Sequence, residues 1–152
     1  MKIFLVYGTL SGSTMTAAEV IASSLRGGGY DVTVVSSESA TKEQLASHDV
    51  LVLGSPSWED QGKDGQPLPE ITAFLAQLTA QDLANKKVAL FGLGDISYPH
   101  FCGAIDVMEA RLKELGVTPI IESLRVDRYY SLPENEQKVK SWAENLGKAL
   151  RP

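Results

Sequence analysis

The chain has 152 residues, with 19 acidic against 14 basic side chains and a net charge of −5. That length suits one domain with a substantial core, and the acidic balance argues against nucleic acid and for a positively charged protein partner. A single cysteine excludes an intrachain disulfide and any multi-cysteine metal or iron–sulfur centre. With no basic-then-apolar leader and no stretch suited to span a bilayer, a cytoplasmic protein without membrane insertion is expected.

In chain order, the apolar run over residues 3–7 reads as a buried strand. A hydroxyl-rich segment, Thr-Leu-Ser-Gly-Ser-Thr over 9–14, follows it. Apolar spacing at Ala17, Val20, Ile21 and Leu25 predicts a helix over 16–25, stopped by Gly27-Gly28-Gly29. Strands are predicted over 31–36 and 49–53, with a short helical turn over 41–47 between them. A long polar loop is expected from 54 to about 69, then a helix over 70–78 with Ile71, Phe74, Leu75 and Leu78 on one face. A strand over 87–91 leads into a second Gly-rich loop, 92–98. A helix over 101–115 capped by Gly116, a strand over 118–126 and a helix over 134–150 complete the chain. Apolar strands alternating with helices predict an α/β fold, a parallel sheet covered on both faces. Ligands then sit beyond the carboxyl ends of the strands, where the strand order reverses.

The 9–14 segment carries the chemistry. Strand, loop and helix aim free backbone N–H groups and the positive end of a helix dipole at one spot, which suits an anion. Thr9, Ser11, Ser13 and Thr14 add hydroxyl donors, and Gly12 lets the backbone turn closely. The segment lacks the Gly-Lys of a nucleoside-triphosphate loop and the three spaced glycines of a dinucleotide fingerprint. A monoester phosphate needs neither; helix capping by the same hydroxyls is the plainer alternative. Two other loops at the same end carry Trp58 and Tyr98, which suggests a flat ring held between aromatics. Trp58 lies among polar residues, poor company for a core side chain.

At these residues the chain resembles the short-chain flavodoxins. Leu5-Val6-Tyr7-Gly8-Thr9 with Gly12, Thr14, Ala18 and Ile21 fits that family's phosphate-loop signature. The run 91–98 and its continuation Phe101-Cys102-Gly103-Ala104-Ile105-Asp106 is similar to the third flavin loop. Leu124-Arg125-Val126-Asp127 is similar to the close of the fifth strand. The resemblance implies a flavodoxin-like doubly wound sheet of order 2-1-3-4-5 with FMN at the reversal. It implies a low-potential one-electron carrier that is monomeric and works between a reductase donor and an enzyme acceptor with basic docking faces. The residues around FMN would be Thr9, Leu10, Ser11, Gly12, Ser13 and Thr14 in the first loop. Ser55, Pro56, Ser57, Trp58 and Glu59 would follow in the second, and Gly92, Leu93, Gly94, Asp95, Tyr98, Phe101 and Cys102 in the third. Trp58 and Tyr98 would cover the two ring faces, and Asp95 would meet the pyrimidine edge.

Some positions depart from the family pattern. Leu10 replaces a residue that is usually Thr, and Ser13 one that is often Asn. Glu59 stands where Gly is common, in a segment whose backbone reorients on reduction in the family. A side chain there is expected to restrict the turn over 58–60 and weaken the one-electron state. Pro99 and His100 replace residues that are often acidic or aromatic. Cys102 reads as buried packing rather than a reactive thiol. His100 reads as near the flavin or simply exposed, His48 as surface, and Trp142 as core. Two other classes compete with the carrier: a flavodoxin-like FMN-dependent quinone or nitro-compound reductase, and a flavin-free interaction module. The first needs an open ring face, and the second needs no intact phosphate loop.

Overall fold

The computed structural model describes residues 1–152. Its centre is a five-stranded parallel sheet of β1 (Lys2–Tyr7), β2 (Asp31–Ser36), β3 (Val50–Pro56), β6 (Lys87–Gly94) and β7 (Leu124–Asp127). The order is β2-β1-β3-β6-β7, the expected one once the strands of this sheet are counted alone. Residues on β1 alternate between two cores. Ile3 and Leu5 pack under α1 (Ser13–Gly27) and α5 (Asn135–Leu150). Phe4 and Val6 pack under α2 (Lys42–Ala46), α3 (Pro69–Gln77) and α4 (Gly103–Glu114). The two clusters hold 20 and 19 buried residues, so the sheet is a true middle layer and its strands read as continuous apolar runs.

The chain steps outward from β1 to β2 and returns to β3 on the other side of β1. Tyr7 pairs with Gly54 in register, and Gly8 N–H donates to Gly54 O at 2.9 Å. Beyond that bond the loops after β1 and β3 part, which opens a crevice at the carboxyl edge.

Several boundaries differ from expectation. The 54–69 loop is ordered: β3 runs to Pro56, and β4 (Trp58–Asp60) pairs antiparallel with β5 (Lys63–Gln66). Asp60 faces Lys63 across the two-residue turn Gln61-Gly62, whose φ values are 51° and 81°. Both central residues positive is the twist that suits a tight hairpin. Residues 92–94 belong to β6 rather than to a loop. Glycines read as punctuation, but here they clear the ground for α4: a Cβ on Gly92 would lie 2.8 Å from Ile105 Cγ1. β7 is shorter than the predicted 118–126; upstream of it Ile120 N–H still donates to Val88 O at 2.8 Å. α1 starts earlier than predicted, directly after Gly12 at φ 92°.

His48 is buried, not at the surface. Its ring tilts against Phe4 at 5.1 Å. Nδ1 donates to Gln44 O at 2.7 Å, and Nε2 meets Thr33 Oγ1 at 3.1 Å. With both nitrogens partnered the ring fills the base of the sheet at little polar cost. Trp142 packs in the core beside Phe91, and its indole N–H donates to Glu122 O.

Candidate functional site

A cleft of 350 Å³ opens at the carboxyl ends of β1, β3, β6 and β7. One wall is the loop into α1, with Thr9, Leu10, Ser11, Ser13 and Thr14. Thr9 Oγ1 accepts from Gly12 N–H at 2.8 Å, which folds the loop on itself. The amides of Thr9, Leu10 and Ser11 donate to no protein acceptor, and neither do those of Ser13, Thr14 and Met15 in the first helical turn. Gly12 cannot cap them with a side chain, and the first turn holds no acidic residue. Thr14 is 1% exposed, lines the cleft, and its hydroxyl has no protein partner. The Thr14 hydroxyl, accessible from the cleft, and the unpaired amides at the helix N-terminus form a donor set suited to a phosphate.

The second wall comes from Pro56 and Ser57 at the end of β3, with Asp64 of the hairpin. Ser57 Oγ accepts from Ala104 N–H at 2.9 Å and so caps α4. Asp64 lies 3.3 Å from His100 Nδ1. Between these contacts Gly65 meets Gly103: a Cβ on Gly103 would sit 2.7 Å from Gly65 O. Backbone against backbone, the hairpin is docked on the start of α4.

The third wall is Leu93, Gly94, Asp95, Tyr98, His100 and Cys102. The Asp95 carboxylate accepts from Ser97 Oγ at 2.6 Å and Ser97 N at 2.8 Å. These bonds hold its pKa below the ordinary carboxylate value. Tyr98 is 63% exposed at the mouth. Cys102 sits on the floor, fully buried, with burial raising its thiol pKa to about 11. It is therefore a protonated packing group, not a nucleophile.

Sequence reasoning did not place residues 129–131. Tyr129, Tyr130 and Ser131 complete the cleft with Arg128. The loop is pinned where β7 ends: Arg128 N–H donates to Gly94 O, and Asn135 Nδ2 donates to Asp127 O at 2.7 Å. Asp127 accepts from Ile96 N–H and from the Arg128 guanidinium. The guanidinium first, then that amide, holds its pKa down. The only sequence signal here was an aromatic pair just after a strand.

Six expected residues do not line the cleft: Gly12, Ser55, Trp58, Glu59, Gly92 and Phe101. Ser55 is buried behind it, donating to Pro56 O and accepting from Leu68 N–H. Phe101 and Trp58 pack on the α3–α4 core, and the Trp58 indole N–H donates to Pro67 O at 3.1 Å. Trp58 is half-buried: the hairpin rests its ring on that core while Glu59 beside it stays exposed. Glu59 lies in extended backbone within β4. It is not among the residues at positive φ, whereas Gln61 is, at 51°. The restricted turn is therefore two residues beyond the one expected.

Comparison with known proteins places this geometry in a lineage. The family model for flavodoxin matches residues 5–142. A flavodoxin of Maridesulfovibrio salexigens is 32% identical over 146 residues, covering 95% of this chain and 96% of that protein. A probable flavodoxin 2 of Bacillus subtilis is 31% identical over 138 residues, covering 90% and 87%. The crystal structure of oxidised flavodoxin 2 from Bacillus cereus superposes with a TM-score of 0.79 at 32% identity, covering 98% of this chain and 97% of that one. The sheet order, the unpaired amides at its reversal and these end-to-end matches agree: the chain belongs to the flavodoxin family, the flavin-dependent electron carriers.

Proposed function

We propose that the cleft binds FMN, with the phosphate on the 9–14 loop and the flavin ring between Pro56–Ser57 and Asp95–Tyr98. The observation that carries this reading is the set of unpaired donor amides around Gly12, together with the unpartnered hydroxyl that the otherwise buried Thr14 presents to the cleft. When bound, the flavin supplies one-electron redox chemistry. The chain's own residues then set its working range. Asp64 and Asp95 face the cleft, so added negative charge on a bound ring is disfavoured and the potential falls. Arg128, the one Lys or Arg side chain on the walls, is neutralised by Asp127 at 3.1 Å.

The same acidic rim, with Glu59 and Asp60 on the hairpin, would dock basic faces of a reductase donor and an enzyme acceptor. The chain would work in the cytoplasm as a single-domain monomer. A carrier reading is favoured over a reductase because Tyr98 occupies the cleft mouth, where a second substrate would have to enter. The test is to load the purified chain with flavin, extract it and identify it by chromatography. FMN is expected; recovery of FAD alone, or no uptake of FMN, refutes the reading. Anaerobic NADPH without a reductase should leave the flavin oxidised for minutes, and rapid bleaching would favour the reductase.

A further inference from the structure

The cleft ends against α1. Ser13 and Thr14 line it, and Thr16, three residues beyond Ser13, does not. From Thr16 onward a second and larger hollow, of 830 Å³, runs between α1 and α5. It carries none of the unpaired amides, but it has room and mixed charge, with Glu19 and Glu144 among Lys140, Lys148 and Arg151. Ser13, Thr16 and Val20 are spaced three and four apart and share one helix face, so the groove continues along the side of α1 on which the cleft ends.

One contact stands at the boundary. Tyr130, which lines the cleft, reaches Thr16 with its hydroxyl 2.7 Å from Thr16 Oγ1. The Thr16 hydroxyl donates its own proton to Gly12 O at 3.0 Å. Tyr130 is therefore the donor and Thr16 the acceptor. Tyr130 is 65% exposed, so burial does not hold it in place. Its ring stands edge-on to Tyr129 at 5.3 Å, and its hydroxyl bridges from the loop after β7 to the first turns of α1. That bridge is beside the six unpaired amides.

We infer that Tyr130 is a specificity-determining residue: through Thr16 it closes the phosphate end of the cleft and limits the ligand to a flavin ending in one phosphate. The inference rests on the flavin reading above and deepens it. A dinucleotide flavin carries a second phosphate and an adenosine beyond the first. With its first phosphate on the 9–14 loop, a remainder that stays against the protein along α1 continues past Thr16 into the α1–α5 groove. Tyr130 lies across that route, and a dinucleotide must break its hydrogen bond and displace its ring. A mononucleotide stops short of it.

The experiment compares dissociation constants for FMN and FAD, read by quenching of flavin fluorescence, in the full chain and in Tyr130→Phe, Thr16→Val and Tyr130→Ala. Losing one hydrogen bond of about 0.5–1.5 kcal/mol should lower the ratio Kd(FAD)/Kd(FMN) by about 2–12-fold in Tyr130→Phe and Thr16→Val alike. Tyr130→Ala, which also removes the ring, should lower it further. A purely structural role would weaken both flavins in parallel and leave the ratio unchanged. A ratio within twofold of the parent in all three variants, with FMN still bound, overturns this inference alone. Failure of the parent chain to bind either flavin overturns the flavin reading and this inference with it.

Discussion

Replacing Gly103 with alanine sets two effects of opposite sign against each other. Gly103 is the first residue of α4, and alanine in a helix interior gains about 1 kcal/mol over glycine, less at the first position. Against that, the new Cβ would lie 2.7 Å from Gly65 O, 2.9 Å from its Cα and 3.2 Å from its carbonyl carbon. Ordinary contact begins at 3.4 Å, so the hairpin must retreat by 3.4 − 2.7 = 0.7 Å. All three neighbours are backbone atoms and cannot swing aside. Gly65 is itself fixed at φ 71° against His100. Overpacking of this kind costs about 1–3 kcal/mol, so clash outweighs propensity and a net loss of about 1–2 kcal/mol is expected. At roughly 2–4 °C per kcal/mol for a chain of this size, Tm should fall by about 2–8 °C. The Ser57–Ala104 and Asp64–His100 contacts should lengthen together, so flavin affinity should fall as well. Thermal unfolding followed by circular dichroism, alongside fluorescence titration with FMN, measures both. A variant as stable as the parent and equally tight for FMN would show that the two glycines do not hold the hairpin.

Other outcomes follow from the same geometry. Thr14→Ala should weaken FMN by roughly 10–150-fold, the worth of a hydrogen bond to a charged acceptor, and leave riboflavin little changed; equal losses for the two ligands in calorimetry would remove Thr14 from the phosphate. Gln61→Gly should raise stability by about 1 kcal/mol by relieving a left-handed backbone, while Glu59→Gly in extended β4 should lower it by about 0.5–1 kcal/mol; chemical denaturation giving the reverse order would contradict the hairpin register. Because its folded pKa is depressed, Asp127 adds stability in full above the ordinary carboxylate value of 3.8. That contribution is lost as pH falls through the lowered folded value. Asp127→Asn should therefore flatten the acid limb of a pH–stability curve, and an unchanged limb would show that the carboxylate does not hold the 96 and 128 loops. Association with a basic redox partner should slow as salt rises, since screening shortens the reach of the acidic rim to about 8 Å at physiological ionic strength; stopped-flow rates independent of salt would count against an acidic docking face.

The sheet was legible in the sequence because its strands are buried on both faces, and Phe4, Val6 and their partners on β3 and β6 read as unbroken apolar runs. The helices announced themselves by spacing, and the 9–14 loop by four hydroxyls where a strand hands over to a helix. What escaped was decided by contacts between distant segments. The hairpin over 58–66 is short and polar, and it is ordered by the Gln61-Gly62 turn and by Gly65 seated on Gly103. No local pattern announces a contact of two glycines far apart in the chain. The packing of Trp58 escaped for the same reason, and the burial of His48 because its three partners lie on three different elements. The 128–131 loop carries no motif: its aromatic pair matters through Thr16, on the other side of the sheet reversal.

The spread of the cleft along the chain has a consequence for biosynthesis. Its walls come from residues 9–14, 56–64, 93–102 and 128–131, and the last of these hangs from β7, an edge strand that pairs only with β6. A growing chain exposes its phosphate loop early and gains the opposing wall only at the end. At about 5–20 residues per second the interval between loops 9–14 and 128–131 lasts about 6–23 s. Through that interval the donors around Gly12 have only water as partner. Cofactor capture is thus a late event by construction, governed by the docking of one four-residue strand. Ribosome-bound chains arrested before β7 should leave flavin in solution, however complete the other four strands of the sheet.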